Sequence, residues 1–438
     1  MTINNKLYRV IFFFSSVLLL FLSFNYNFFR AVNPDKFYTF QSDSEALVIG
    51  RLVKSQNDGI LSSEGRLGRY YGLSGDMNSN QTKKYQATLE GGKYGEYNSQ
   101  IGFQGMVYSF MDEHLLEWGI SPKYRIEIYH ALNSLLFALV ISIILLILYF
   151  DIGFESVLLI FLSILLSKWN VYFAKNMYWM VAFMFLPFMV VLLSCHLEEQ
   201  GKKIYFFMVS VFAMIFVMLK SSMGYEYIST ILISTVTPLV YYAVKNKWPK
   251  NLFIVRFSVL GVLSLLGFIF ALYLHVNQLQ VSAGSTEEGV AIIKERILAR
   301  TQTTPESYLD TPYYDSQQAS VFYVLYKFLL KEGSFRLKIP FLFWIILFAY
   351  ISYKVYKEKA VLEIKSKDVL IYKSLIITTW FSFIGSLSWF VLAKSHSYIH
   401  NINYIVWHLP FMIYGVALTG YYWREKIKKL ITKYIKDY

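Results

Sequence analysis

A single cysteine, Cys195, stands in a chain of 438 residues and lies inside an apolar run, so no disulfide can form within the chain. Charge is scarce too. Only 16% of residues are charged against 55% hydrophobic and 19% aromatic, which leaves too little polar surface to cover a water-soluble protein of this size. No glycine-rich nucleotide loop follows a predicted strand, and neither a Ser-His-Asp arrangement nor a metalloprotease pattern occurs. No internal repeat stands out, which counts against a transporter built from two halves.

What the chain has in abundance is hydrophobic runs. At roughly 17 to 25 residues per bilayer crossing, they predict a first span over Val10–Phe24 and later ones near 131–150, 153–168, 178–196, 204–220, 227–244, 252–274, 339–354, 369–392 and 404–422. The expected fold is an all-α polytopic membrane protein with about ten transmembrane helices. Lys6 and Arg9 precede the first span, and Asn25-Tyr26-Asn27-Phe28-Phe29 after it makes a poor cleavage site, so it reads as an uncleaved span.

The formal net charge of +13 is read as topology before it is read as a hint of anionic partners such as lipid phosphates, and no nucleic-acid partner is called for. With the amino terminus inside, Lys202-Lys203, Lys245–Lys250, Lys354–Lys367 and the tail Arg424–Lys429 all fall inside, and all are basic. Both termini are then cytoplasmic. Long polar segments at 30–130 and 275–338 lie outside, with short ones at 168–177, 220–226 and 393–403. Tyr70-Tyr71, Trp118, Trp179, Trp248 and Trp407 fall near span ends, as interfacial aromatics do, although a compositional bias toward Phe, Tyr, Ile, Lys and Asn explains the aromatic content equally well.

The first outer segment predicts a short amphipathic helix over Glu45–Ser55, stopped before Asn57-Asp58-Gly59, then a glycine-rich loop from Ile60 to Gly105, then a helix over Met106–Trp118. Both helices are expected along the membrane interface, with re-entry at Tyr129. Ahead of the first stands Gln41-Ser42-Asp43-Ser44-Glu45. Its acids fit a capping box, with Ser42 or Asp43 as N-cap and Glu45 reaching back to free backbone donors, as well as they fit catalysis. Inside a helix the two carboxylates would stand about 200° apart and could not converge, a limit that an N-cap Asp43 escapes.

A first span, a large outer loop with two juxtamembrane helices and an acidic pair at its start, then re-entry resembles the module of the GT-C superfamily of integral-membrane glycosyltransferases. The residues that carry the resemblance are Asp43, Glu45 and the helices 45–55 and 106–118, and it covers about the first 150 residues. It implies sugar transfer from a polyprenyl-phosphate-linked donor to a glycan or lipid-linked acceptor at the outer leaflet of a bacterial cytoplasmic membrane, in surface polysaccharide assembly. It also implies that Asp43 serves as base or helps to hold a divalent cation, with Glu45 beside it. The chain departs from the pattern where a second acidic motif belongs: Lys168-Trp169-Asn170 and Lys175-Asn176 stand there instead.

Such a transfer asks for a carboxylate near the acceptor hydroxyl and for cations near the leaving phosphate. Arg51, Arg66, Arg69 and Lys175 are candidates for donor-phosphate or substrate contact, as are Lys220 and Glu226 in the turn Leu219–Tyr227, and Lys394, His396 and His400 in the last outer loop. Each has a plainer reading as snorkelling, solvated charge or, for Lys220 and Glu226, a local ion pair. Two histidines without a third ligand make a weak metal site. The second outer segment predicts an amphipathic helix over Glu287–Arg300 and, after Pro305 and Pro312, an interfacial helix over Val321–Leu330 suited to wall off the donor lipid; the alternative, a span that includes Phe335-Arg336-Leu337, inverts the later topology and puts Lys354–Lys367 outside, against the charge rule.

The chain thus divides into a module over 1–150, a middle bundle over 151–274, the second outer loop over 275–338 and the C-terminal spans over 339–438. Two other functions compete. An O-antigen-type polymerase or ligase centres on arginine-rich loops late in the chain, and a transporter or flippase of lipid-linked sugars carries its ionisable residues at mid-membrane.

Overall fold

A computed structural model describes residues 3–301, 314–359 and 366–437. Helix α1 (Ile3–Tyr26) leads into a lobe made of α2 (Pro34–Thr39), α3 (Ser42–Asp58), β1 (Gly68–Tyr71), α4 (Met77–Tyr85), β2 (Lys93–Glu96) and α5 (Phe103–Glu117). Then come α6 (Pro122–Ile152), α7 (Phe154–Leu165), α8 (Lys168–Ala174), α9 (Ala182–Glu199), α10 (Phe206–Ser222), α11 (Ile228–Lys245), α12 (Lys250–Ala283) and α13 (Thr286–Thr301). The remainder holds α14 (Tyr314–Gln317), α15 (Val321–Tyr326), α16 (Phe341–Lys359), α17 (Ser366–Leu392), α18 (Lys394–Ile399) and α19 (Phe411–Asp437). Pro305 and Pro312 lie outside the described residues.

Among the described residues six helices are long and apolar enough to cross a membrane: Lys6–Tyr26, Pro122–Ile152, Ala182–Glu199, Ile228–Lys245, Lys250–Ala283 and Asp368–Leu392. Two bent pairs, Phe154–Leu165 with Lys168–Ala174 and Asn401–His408 with Phe411–Ile427, raise the number to eight if each pair is one span. Helix α10, with 17 residues, is short for a crossing. The bundle is joined by small polar side chains as well as by apolar packing. Ser23 Oγ donates to the Leu165 carbonyl at 2.8 Å, tying α1 to α7, and Thr230 Oγ1 donates to the Gly385 carbonyl at 2.9 Å, tying α11 to α17.

One end of the bundle gathers basic residues against acids. Lys245 Nζ lies 2.6 Å from Asp151 and 2.7 Å from Glu199, Arg256 pairs with Glu198 at 2.7 Å, and Arg424 reaches the Ile152 carbonyl. The lobe sits at the opposite end, where α1, α10 and α12 finish and α6, α9 and α11 begin.

Three expectations for the lobe and its surroundings are corrected. Helix α3 is not laid on the interface: Ala46 through Val53 are all buried, so protein encloses it on every side. The segment 60–105 is not simply a loop, because β1 and β2 pair antiparallel with Gly68 opposite Glu96 and Tyr71 opposite Lys93, and α4 lies between them. Closeness requires the glycines here: a Cβ on Gly50 would run into the Gly68 carbonyl, so α3 and β1 meet backbone to backbone. Third, α12 runs past the expected span end to Ala283, and α13 folds back on it with Gly289 against Val276. Gln278 on that extension donates to the Glu64 and Ile101 carbonyls at 2.7 and 3.0 Å, fastening α12 to the lobe. Trp179 and Trp407 are buried rather than interfacial, whereas Trp118 is exposed.

Asp112 of α5 is the internal staple of the lobe. It pairs with Arg125 of α6 at 3.0 Å, accepts from the Tyr129 hydroxyl and the Gln56 amide at 2.7 Å each, and accepts from the Tyr85 hydroxyl. One buried carboxylate thereby joins α3, α4, α5 and α6.

Candidate active site

A cavity of about 400 Å³ opens at the lobe end of the bundle. Its wall comes from the first turn of α3 (Gln41, Asp43, Ser44, Leu47), from Arg69 of β1, from Tyr97 and Ser99, from Tyr178 and Trp179 ahead of α9, and from Glu226. Arg296, Ala299 and Arg300 of α13 and His396, Ile399, His400 and Ile402 close the ring. Of the residues singled out from the sequence, the cavity collects Asp43, Arg69, Glu226, His396 and His400.

Asp43 reaches the cavity because of how α3 begins. The residue ahead of the helix is Gln41, in the left-handed region at φ 52°, and it makes no side-chain cap. Neither Ser42 nor Asp43 is an N-cap, and Glu45 does not reach back along the chain. Both acids are helical, so they diverge. Asp43 is exposed at the cavity wall, and Arg69 holds its turn by donating to the Asp43 backbone carbonyl. Glu45 points away from the cavity and accepts from His130 Nε2 at 2.8 Å and from the Met177 N–H at 3.2 Å. Burial pushes the Glu45 carboxyl up, but His130, the Met177 N–H and the charge of Lys175 outweigh it and hold it below its ordinary value.

Lys175 belongs to that second group. Its ammonium lies 3.9 Å from the Phe37 ring centre and 4.6 Å from that of Tyr38, and burial holds it down to about 8 although Glu45 pulls it up. Arg51 and Arg66 are structural. Arg51 is buried and donates to the carbonyls of Gly59, Ile60 and Ser62, closing the turn after α3. Arg66, also buried, pairs with Glu64 and with Glu96 at 2.8 Å and donates to Asn98 at 3.1 Å. Lys394 is half-buried at the start of α18 and is not in the cavity wall.

The Lys220–Glu226 pair takes a different form from the local ion pair. Lys220 is buried and donates to the Gly224 carbonyl at 2.7 Å, while Glu226 pairs with Arg300 at 3.1 Å. A Cβ on Gly224, at φ 146°, would meet Gln100 Oε1 at 2.6 Å, so the turn has room only for glycine. Arg296 and Arg300 are the main residues that the sequence reading passed over as site candidates. A signal was present: they stand i, i+4 at the end of an amphipathic helix, where one face carries both.

His396 and His400 put their rings 4.5 Å apart, and the His396 Nδ1 shares a 3.2 Å hydrogen bond with the Asn403 amide. Burial pushes the His396 imidazole well below its usual range, helped by His400 and Arg300. For His400 burial again leads downward; Glu226 and Asp43 pull up, and Arg300 and Lys327 push down. Both rings are therefore neutral near pH 7 and can accept as well as donate hydrogen bonds.

Three arginines against two carboxylates leave the wall with surplus positive charge, and Lys220 adds to it from behind. An anion would be stabilised there by charge-assisted hydrogen bonds. Glu226 is already engaged by Arg300, and among the described residues the one group of three side chains close enough to hold an ion is Asp151, His196 and Glu199 at the other end, where Lys245 already bonds both carboxylates. Comparison with protein-family models, with curated proteins and with solved structures gives no match for this chain.

Proposed function

We propose that the chain is a membrane glycosyltransferase of the GT-C type, moving a sugar from a polyprenyl-phosphate-linked donor to an acceptor hydroxyl on a glycan or lipid at the outer face of a bacterial cytoplasmic membrane. The observation that carries this is one cavity whose lining brings together an exposed carboxylate, Asp43, with no ion-pair partner among the described residues, and the arginines Arg69, Arg296 and Arg300. Counting α10 and α16 as crossings gives ten alternating spans, which keeps both termini and the basic segments on the cytoplasmic side.

In this reading the acceptor oxygen attacks the anomeric carbon and its proton passes to the Asp43 carboxylate. The bond from that carbon to the phosphate oxygen breaks, and its electron pair leaves with the polyprenyl phosphate. Arg296 and Arg300 stabilise the charge that develops on the departing phosphate, acting in a partly enclosed site where such contacts are strong. Glu226 fixes the Arg300 guanidinium rather than taking a proton. No step is routed through a metal.

A second reading is favoured by the arginines themselves. They come from the second outer loop, as expected of an O-antigen-type polymerase or ligase, whose donor carries a diphosphate. Purified protein supplied with acceptor extract and either a polyprenyl-phosphate sugar or a polyprenyl-diphosphate oligosaccharide separates the two. Asp43→Asn is expected to lower transfer by about two to four orders of magnitude. Equal transfer by the variant removes Asp43 from the mechanism, and no transfer from either donor by either protein argues against an enzyme.

A further inference from the structure

We propose that Lys327 is a positioning residue of the cavity: its ammonium clamps the last turn of α18 and so sets how His396 and His400 face a substrate. This rests on reading the cavity as the transfer site. Lys327 is buried, and its Nζ donates to the Tyr398 carbonyl at 2.7 Å and to the Ser397 carbonyl at 3.2 Å. These carbonyls belong to the final turn of a helix, where no further intrahelical donors remain and a cation is favoured. With six residues α18 cannot be held by its own hydrogen bonds, so its place depends on what grips it.

The grip is itself anchored. Lys327 opens a π turn, Lys327–Lys331, of the kind that often marks functional sites. Its carbonyl accepts from the Tyr404 hydroxyl at 2.7 Å, and the next ring, Phe328, stacks on Phe390 of α17 at 4.4 Å and leans on Tyr404 at 4.5 Å. Tyr323 on α15 meets Tyr398 at 5.5 Å. The clamp therefore joins α15, α17 and the segment before α19 to the two histidines. No carboxylate pairs with Lys327 among the described residues; its hydrogen-bond acceptors are the two carbonyls.

The charge has a second effect. The groups facing His400 are Asp43 and Glu226, which favour its charged form, and Arg300, Lys327 and the buried His396, which do not. Burial, then Lys331, hold the Lys327 ammonium down to about 8, so it still carries its charge at neutral pH. Removing it takes one cation from the field at His400.

The test uses the full chain in lipid nanodiscs, with isotope-labelled histidine followed by NMR against pH and His400→Gln to assign the signal. In Lys327→Met the His400 midpoint is expected to rise, and kcat to fall about tenfold or more, since small misplacements of reacting groups are costly. The donor KM is expected to stay within about threefold. Lys327→Arg, which keeps the charge and the donors, is expected to return both readings toward the parent values. A folded Lys327→Met with the parent His400 midpoint and kcat overturns the proposal, as does a Lys327→Arg protein that behaves like Lys327→Met. If Lys327→Met does not fold, Lys327→Gln, which keeps a donor without the charge, is read by the same titration, and an unchanged midpoint again overturns it. Because the midpoint needs no turnover, a protein that transfers no sugar from any donor still answers for Lys327.

Discussion

Asp112 and Arg125 depend on each other unequally, and the inequality is measurable. Both are 2% exposed. Take away the charge of Asp112 as Asp112→Asn and the Arg125 guanidinium is left with neutral contacts, an amide oxygen, the 3.4 Å contact to the backbone carbonyl of residue 112 and the Tyr85 ring 5.0 Å away, while its Nε has no partner among the described residues. Take away Arg125 as Arg125→Met and Asp112 still accepts from Tyr85, Tyr129 and Gln56. A buried charge stripped of its partner costs about 3 to 5 kcal/mol. Asp112→Asn belongs at the upper end of that range. Arg125→Met belongs at or below the lower end, because a buried carboxylate with several hydrogen-bond donors is tolerated. Since α3, α4, α5 and α6 all meet at this carboxylate, the loss appears first as local opening of the lobe. Hydrogen exchange of peptides spanning α3 and α5 reads it directly: at about 1.4 kcal/mol per tenfold, exchange in Asp112→Asn rises by roughly three to three and a half orders of magnitude. Arg125→Met rises less, and the double variant is less exposed than the sum of the two. Equal protection in Asp112→Asn and the parent, or strict additivity, refutes the staple.

Two further outcomes follow from the lobe. Gly50→Ala drives a methyl group into the Gly68 carbonyl, and because both sides of that contact are backbone, relief requires β1 to move; a loss of about 1 to 3 kcal/mol is expected in thermal unfolding, with lower transfer because Arg69 travels with β1. Lys175, held down to about 8, titrates well below the ordinary lysine value of about 10.4, so reductive methylation of this one lysine should show its midpoint near 8, and lower still in Glu45→Gln. The sign for stability follows: the unfolded chain binds more protons between about pH 8 and about 10.4, so the contribution of Lys175 rises with pH across that window, and Lys175→Met should flatten it. A midpoint near the ordinary value ends that argument.

The all-α, multi-span character was legible in the sequence because hydrophobic run length is a property of single segments, although about ten spans were expected and the described residues hold six, or eight with the bent pairs. The cavity was legible only where its residues stood out alone, as Asp43, Arg69, Glu226 and the two histidines did. Arg300 was not, because what distinguishes it is a carboxylate, Glu226, that stands 74 residues earlier. Arg51 and Arg66 misled for the same reason. Nothing in their surroundings along the chain announces that backbone carbonyls and the acids Glu64 and Glu96 consume them. The glycines between Ile60 and Gly105 suggested a pliant loop, while at Gly50 and Gly68 the missing side chain serves close packing of helix against strand.

Two carboxylates two residues apart came to different tasks, and the helix between them is the cause. Glu45 is fixed by His130 on α6 and by the Met177 N–H ahead of α9, contacts 85 and 132 residues away in the chain. Those bonds set the rotation of α3 about its own axis, and Arg69 fixes the height of its first turn through the Asp43 carbonyl. With rotation and height set, a side chain about 200° round the helix from Glu45 is aimed at the opposite wall. Arg296, Arg300 and His400 line the same cavity. Glu45 thus acts on the cavity through geometry alone, and the short acidic motif works as a unit because its members do not converge.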